Sequence, residues 1–153
     1  TMKLTSPAFA EGEKVPKAHT CDGANSSPAL VWEGVPPGSQ SLALIVDDPD
    51  APVGTWVHWV VYDLPPDLPG LPEGLPKTDK LDIGGTQGNN DFRKLGYGGP
   101  CPPQGTHRYF FKLYALDIQL NWGPGKTKQD LVQAMEGHVL AEGELIGLYS
   151  RER

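Results

Sequence analysis

Apolar residues in this chain come in short blocks, with glycine or proline between nearly all of them. Leu42-Ala43-Leu44-Ile45-Val46 is apolar at every position, which predicts a central strand over residues 41–47 that is covered on both faces. Residues 55–63 alternate instead. Trp56, His58, Val60 and Tyr62 fall on one face of a predicted strand, and Val57, Trp59 and Val61 on an apolar core face. Residues 106–117 repeat that design, with His107, Tyr109, Phe111 and Leu113 sharing a face. Each histidine follows a glycine- or proline-rich corner.

The remaining blocks are weaker. Residues 3–11 predict an edge strand that tolerates Pro7, and residues 29–33 a short strand through Leu30 and Trp32, ended by Gly34. Residues 19–28 read as a loop, with an Asp22-Gly23 turn signal. Residues 64–77 hold five prolines and two glycines among leucines, so they predict a surface meander anchored by Leu68, Leu71 and Leu75. Thr127 followed by Asp130 is a capping-box start, and Leu131, Ala134, Met135, His138 and Val139 continue at helical spacing. Gly143 is the expected stop, and a last strand is expected over residues 144–150. The sum is a mostly β chain with one C-terminal helix and no internal repeat.

At 153 residues the chain predicts a single domain, residues 1–153, large enough to fold without staples. Its 19 glycines and 16 prolines punctuate strands and do not form a low-complexity tract. A net charge of -6 argues against a nucleic-acid partner, which usually meets a basic face. No apolar run approaches the ~20 residues of a membrane span, so no integral membrane association is expected. No charged leader with a following apolar run is visible, and the expected location is cytoplasmic. Cys21 and Cys101 accordingly read as two reduced thiols; paired, they would close a long loop and add about 4 kcal/mol. A phosphate-binding P-loop is excluded, because no Gly-Lys-Ser/Thr follows the glycines of residues 84–105.

The chemistry concentrates where the strand of residues 41–47 ends. Asp47, Asp48 and Asp50 stand on a corner stiffened by Pro49 and Pro52, and His58 follows in the next strand. A metal site would use such groups, but the histidine spacings fit neither HxH nor HExxH, so no metal or other cofactor is expected. An Asp-His hydrolase would need a nucleophile, and no Gly-x-Ser-x-Gly elbow is present. The reading that uses every group is a pocket for a small anion. Carboxylates would raise the histidine pKa above its ordinary 6.5, and the imidazolium, the Tyr109 hydroxyl and glycine N–H groups would donate to a phosphate or carboxylate. Spare carboxylates would accept from a protonated amine head group. His19 and His138 lack such company and read as packing or surface residues.

Two motifs carry a family resemblance. One is Asp48-Pro49-Asp50-Ala51-Pro52 followed by Trp56-Val57-His58-Trp59. The other is Gly96-Tyr97-Gly98-Gly99-Pro100-Cys101-Pro102-Pro103 followed by Gly105-Thr106-His107-Arg108-Tyr109. Cys21-Asp22-Gly23, Ser27-Pro28 and Gly137-His138-Val139-Leu140-Ala141 support them, the last placed in the helix. The chain resembles the phosphatidylethanolamine-binding protein family, also called Raf kinase inhibitor-like, and its bacterial and archaeal branch above all. The resemblance implies an antiparallel β-sandwich with long Pro/Gly loops and an anion pocket at one end. The implied pocket comprises Asp48, Asp50, His58, His107 and Tyr109, with backbone from Gly98, Gly99 and Pro100. It implies a non-enzymatic binder of phosphate-type head groups with no catalytic residue. Eukaryotic members regulate kinase cascades or flowering, which makes a protein partner, such as a kinase or protease, a further expectation. Bacterial relatives make a homodimer another.

Overall fold

The computed structural model describes residues 2–150. Its strands are β1 (Lys3–Thr5), β2 (Leu30–Glu33), β3 (Ser41–Asp48), β4 (Trp56–Leu64), β5 (Gly70–Leu71), β6 (Thr86–Gln87), β7 (His107–Leu116) and β8 (Val139–Tyr149), with one helix, α1 (Lys128–Met135). They form a five-stranded sheet in the order β6-β4-β3-β7-β8 and a three-stranded sheet in the order β1-β2-β5. Neighbouring strands are antiparallel in both. The two sheets face each other as a sandwich. Among the described residues no helix is long and apolar enough to cross a membrane.

Strand β3 lies at the centre of the larger sheet, and all eight of its residues are buried. Its alternation explains why Leu42 to Val46 are all apolar. Leu42, Leu44 and Val46 enter the core between the sheets with Leu30, Trp32, Phe111 and Leu113. Ala43 and Ile45 face the opposite way, onto Leu131 and Met135 of α1. The same rule separates the first two carboxylates of the corner. Asp47 turns to the helix side and accepts from Lys112 Nζ at 3.4 Å and Lys128 Nζ at 2.7 Å. Asp48 turns to the sandwich side.

Strand β4 departs from simple alternation. Val46 pairs with Trp59 but Asp47 pairs with Val57, so His58 is an extra residue on a β-bulge. Beyond it the faces exchange: Trp59 and Val61 enter the sandwich core, whereas Val57, Val60 and Tyr62 pack under the helix. The expected grouping of His58 with Val60 and Tyr62 is therefore corrected. The bulge leaves His58 on the sandwich side, where its ring meets Tyr109.

Helix α1 begins as its sequence requires, with Thr127 Oγ1 accepting from Asp130 N and Asp130 Oδ2 accepting from Thr127 N. It ends eight residues before the expected stop at Gly143. Gly137 adopts φ +80°, the left-handed conformation of a helix C-terminus. His138 N–H closes the turn on Met135 O at 2.8 Å. His138 and Val139 thus lie outside the helix, and β8 starts at Val139. Gly143 sits within β8 opposite Leu113, where the Met2 carbonyl lies close to the position a Cβ would take.

The cysteines are also corrected. Cys21 and Cys101 form a disulfide with their Cα atoms 5.4 Å apart. Cys21 N–H donates to Pro100 O at 3.1 Å, so the backbone already holds the two segments together. Replacing both cysteines with serine is expected to lower stability by about 2–4 kcal/mol, measured by urea unfolding. A reductant should lower the wild-type midpoint to that of the variant and leave the variant unmoved. Equal midpoints for oxidised wild type and variant would show that the bridge adds nothing.

Candidate functional site

Three strand ends meet at one edge of the larger sheet. The register pairs Asp48 with Trp56 and Asp47 with Phe110, which brings the end of β3 beside the starts of β4 and β7. There Asp48, His58, His107 and Tyr109 line a cavity of about 240 Å³. Trp56 and Phe92 add aromatic walls, while Ala51-Pro52-Val53 and Cys101-Pro102-Pro103 close the sides.

Asp48 and the two histidines are fixed by hydrogen bonds. His107 Nδ1 donates to Asp48 Oδ2 at 2.6 Å, and Asp48 Oδ1 accepts from Asp50 N at 2.8 Å. His58 Nδ1 donates to Gly98 O at 2.7 Å, while Gly98 N donates back to His58 O at 2.8 Å. A carbonyl only accepts, so in neutral His58 the proton is on Nδ1 and Nε2 is an acceptor. The expected rise in histidine pKa is overturned here. Burial dominates and lowers His58 below its ordinary 6.5, against opposing pulls from Gly98, Asp48 and Asp47.

The other expected site residues stand behind this wall. Asp50 does not line the cavity. Its carboxylate takes three hydrogen bonds at 2.9 Å from Arg108 N, Nε and NH2, which hold its pKa down at about 2. It braces the corner onto β7. Gly98 supports His58, Gly99 N–H donates to Asn25 Oδ1 at 2.8 Å, and Pro100 O accepts from Cys21. Side chains at Gly98 or Gly99 would collide with Phe92 or with Asn25 and His19 O.

The sequence reading assigned no role to Trp56, Phe92, Arg108 or the Cys101–Pro103 turn. Trp56 precedes His58 by two positions, so its strand spacing was the available signal. Phe92 is a lone aromatic in a polar loop, and no periodicity marks it. Its ring stands 5.5 Å from Trp56 and 5.4 Å from His58. Among the described residues, only Trp56 Nε1 and Tyr109 OH are buried side-chain polar atoms without a hydrogen-bond partner. Both residues line the cavity. Burial also pushes the Tyr109 hydroxyl pKa up, reinforced by Asp48 and Asp50, so it stays protonated. No group of three His, Cys, Asp or Glu side chains among the described residues is arranged to hold a metal ion.

Fold and site together define a small antiparallel β-sandwich with a histidine-walled cavity at one sheet edge. Residues 5–150 match the family model described as phosphatidylethanolamine-binding protein, and the chain belongs to that family. A UPF0098 protein of Methanothermobacter thermautotrophicus is 55% identical over 150 residues, covering 98% of this chain and 99% of that one. Another from Aquifex aeolicus is 49% identical, covering 99% and 90%. Among solved structures, a putative phosphatidylethanolamine-binding protein homolog from Chlamydia trachomatis superposes with a TM-score of 0.92 at 43% identity, covering 99% of each chain. E. coli YbcL, described as a new member of the mammalian family, gives 0.91 at 34% identity with the same coverage.

The His58 shift carries a pH dependence with a definite sign. Between its lowered folded pKa and 6.5 the unfolded chain binds the extra proton, so stability falls as pH drops through that window. Urea unfolding from about pH 7.5 to about pH 5 should show this loss, and His58→Gln should remove the part of the slope below 6.5. A slope unchanged in His58→Gln would show that His58 does not cause it.

Proposed function

We propose that this protein binds a small anion of the phosphate or phospholipid head-group type without transforming it. The observation that carries the reading is the pair of unpartnered buried donors, Trp56 Nε1–H and Tyr109 O–H, which belong to two residues lining one cavity. A buried donor left without an acceptor costs about 1–3 kcal/mol, and a ligand oxygen that meets both would recover that cost. Neutral His58 adds an Nε2 acceptor, matched to the hydroxyl of a protonated phosphate. At about 240 Å³ the cavity is smaller than the ~300–1,000 Å³ of drug-sized sites and suits a compact head group. The family's description as phosphatidylethanolamine-binding supports the same class.

A hydrolytic use of the cavity has no support in its lining. Among the described residues no serine or threonine lines it, Cys101 is bridged, and Asp48 is already bonded to His107 and Asp50 N.

Inorganic phosphate at about 100 times its Kd should stabilise the protein by about 2.7 kcal/mol, read as a rise in Tm. Trp56→Phe with Tyr109→Phe keeps an aromatic ring at each position and removes both donors. Without phosphate, removing the two unpaired donors should offset part of the packing lost with the smaller ring at 56, so that variant should stay folded. With phosphate its Tm rise should collapse, since each lost bond to a charged acceptor is worth about 1.5–3 kcal/mol. An undiminished rise in the double variant would remove the pocket from the explanation.

A further inference from the structure

The cavity has a neighbour. A groove of about 600 Å³ adjoins it, with Phe92 and Cys101 lining both. Leu95, Tyr97 and the Cys21–Cys101 bridge make much of its lining apolar, and the exposed Lys77 and Lys94 add two amines. Among the described residues no carboxylate lines it. In a chain of net charge -6, two amines on a concave apolar surface without a carboxylate are a local reversal of sign. The ammoniums repel each other: after burial, the Lys94 charge is what lowers the Lys77 pKa. An anionic group between them would relieve that repulsion.

The turn that presents Phe92 and Lys94 is rigidly built. Asn90, 5% exposed, accepts from Phe92 N at 2.9 Å and Lys94 N at 3.2 Å through Oδ1, and its Nδ2 donates to Gly96 O at 2.9 Å. One buried amide thus fixes the backbone that carries the Phe92 ring and the Lys94 side chain before any ligand arrives, which reduces the ordering cost of binding. Phe92 is 38% exposed although its ring packs edge-on to Trp56 and His58.

The geometry points to a bipartite ligand: an organic phosphate whose head occupies the cavity, whose flat apolar body lies across Phe92 and Leu95, and whose second anionic group sits between Lys77 and Lys94. This assignment rests on the anion-pocket reading and extends it by naming what the head group is attached to.

Three probes, titrated into the intact protein by calorimetry, test it: inorganic phosphate, 2-naphthyl phosphate, and 2-naphthyl phosphate carrying a carboxylate on its far ring. Naphthyl phosphate should bind at least about tenfold more tightly than inorganic phosphate through burial of its ring. The carboxylate should add about threefold more, as expected of a solvent-exposed ion pair. Leu95→Asp should cancel the ring's gain. Lys77→Ala with Lys94→Ala, both exposed positions that should leave folding intact, should cancel the carboxylate's gain and leave the phosphate Kd within about twofold. A naphthyl phosphate that binds no more tightly than phosphate overturns the groove assignment alone. A carboxylate gain that survives in the lysine pair overturns the anionic end of it. If phosphate is silent while naphthyl phosphate binds in a Leu95-dependent way, the pocket reading falls and the groove stands. Silence from all three probes overturns both.

Discussion

His58 of β4 and Gly98 of the glycine-rich segment exchange two hydrogen bonds, of 2.7 and 2.8 Å. Much of the cavity depends on this exchange. It fixes which nitrogen of His58 carries the proton, turns the ring toward Tyr109 and draws residues 96–103 across the sheet edge. Only glycine fits at 98, because the Phe92 ring occupies the space of a Cβ. The bulge in β4 supplies the other half of the arrangement. Without the extra residue, His58 would stay in phase with Val60 and Tyr62 under the helix.

The carboxylates of the corner, which look equivalent in sequence, carry three different loads. Asp47 neutralises two lysines on the helix side, one of them the first residue of α1. Asp48 orients His107 inside the cavity and caps the turn at Asp50. Asp50 grips Arg108 outside it. In this acidic chain each acid near the cavity is therefore already bonded to a donor, and none stands bare in it. Strand alternation decides the first division, and the Pro49 turn decides the second.

How far the sequence was legible follows from which forces act locally. Strand β3 was readable from its unbroken apolar run and β7 from its alternation, and the start of α1 because a cap is a contact between positions three apart. The end of α1 was misplaced since Gly137 and Gly143 are indistinguishable as letters. Only the first takes a positive φ; the second sits where the Met2 backbone crosses β8. The His58 bulge left no mark either, because the apolar pattern of β4 looks continuous across it. Cys21 and Cys101 meet through folding of the whole chain, and composition argued for free thiols. Asp48, His58, His107 and Tyr109 were legible as a cluster through their motifs. The separation of Asp50 from the cavity was not, since it depends on Arg108 reaching back across the sheet edge.

The unpartnered donors explain a tension within the fold. Trp56 and Tyr109 are large rings whose burial stabilises the sandwich edge, yet each also buries a polar atom that nothing in the protein satisfies. Phenylalanine at 109 would give nearly the same apolar burial without that penalty, so packing alone does not call for the phenol oxygen. Both polar atoms belong to residues of a single cavity, although they arise on different strands and point from different backbones. Independent packing defects would have no reason to converge in this way. Under the proposed function, one acceptor supplied by the ligand would account for both at once.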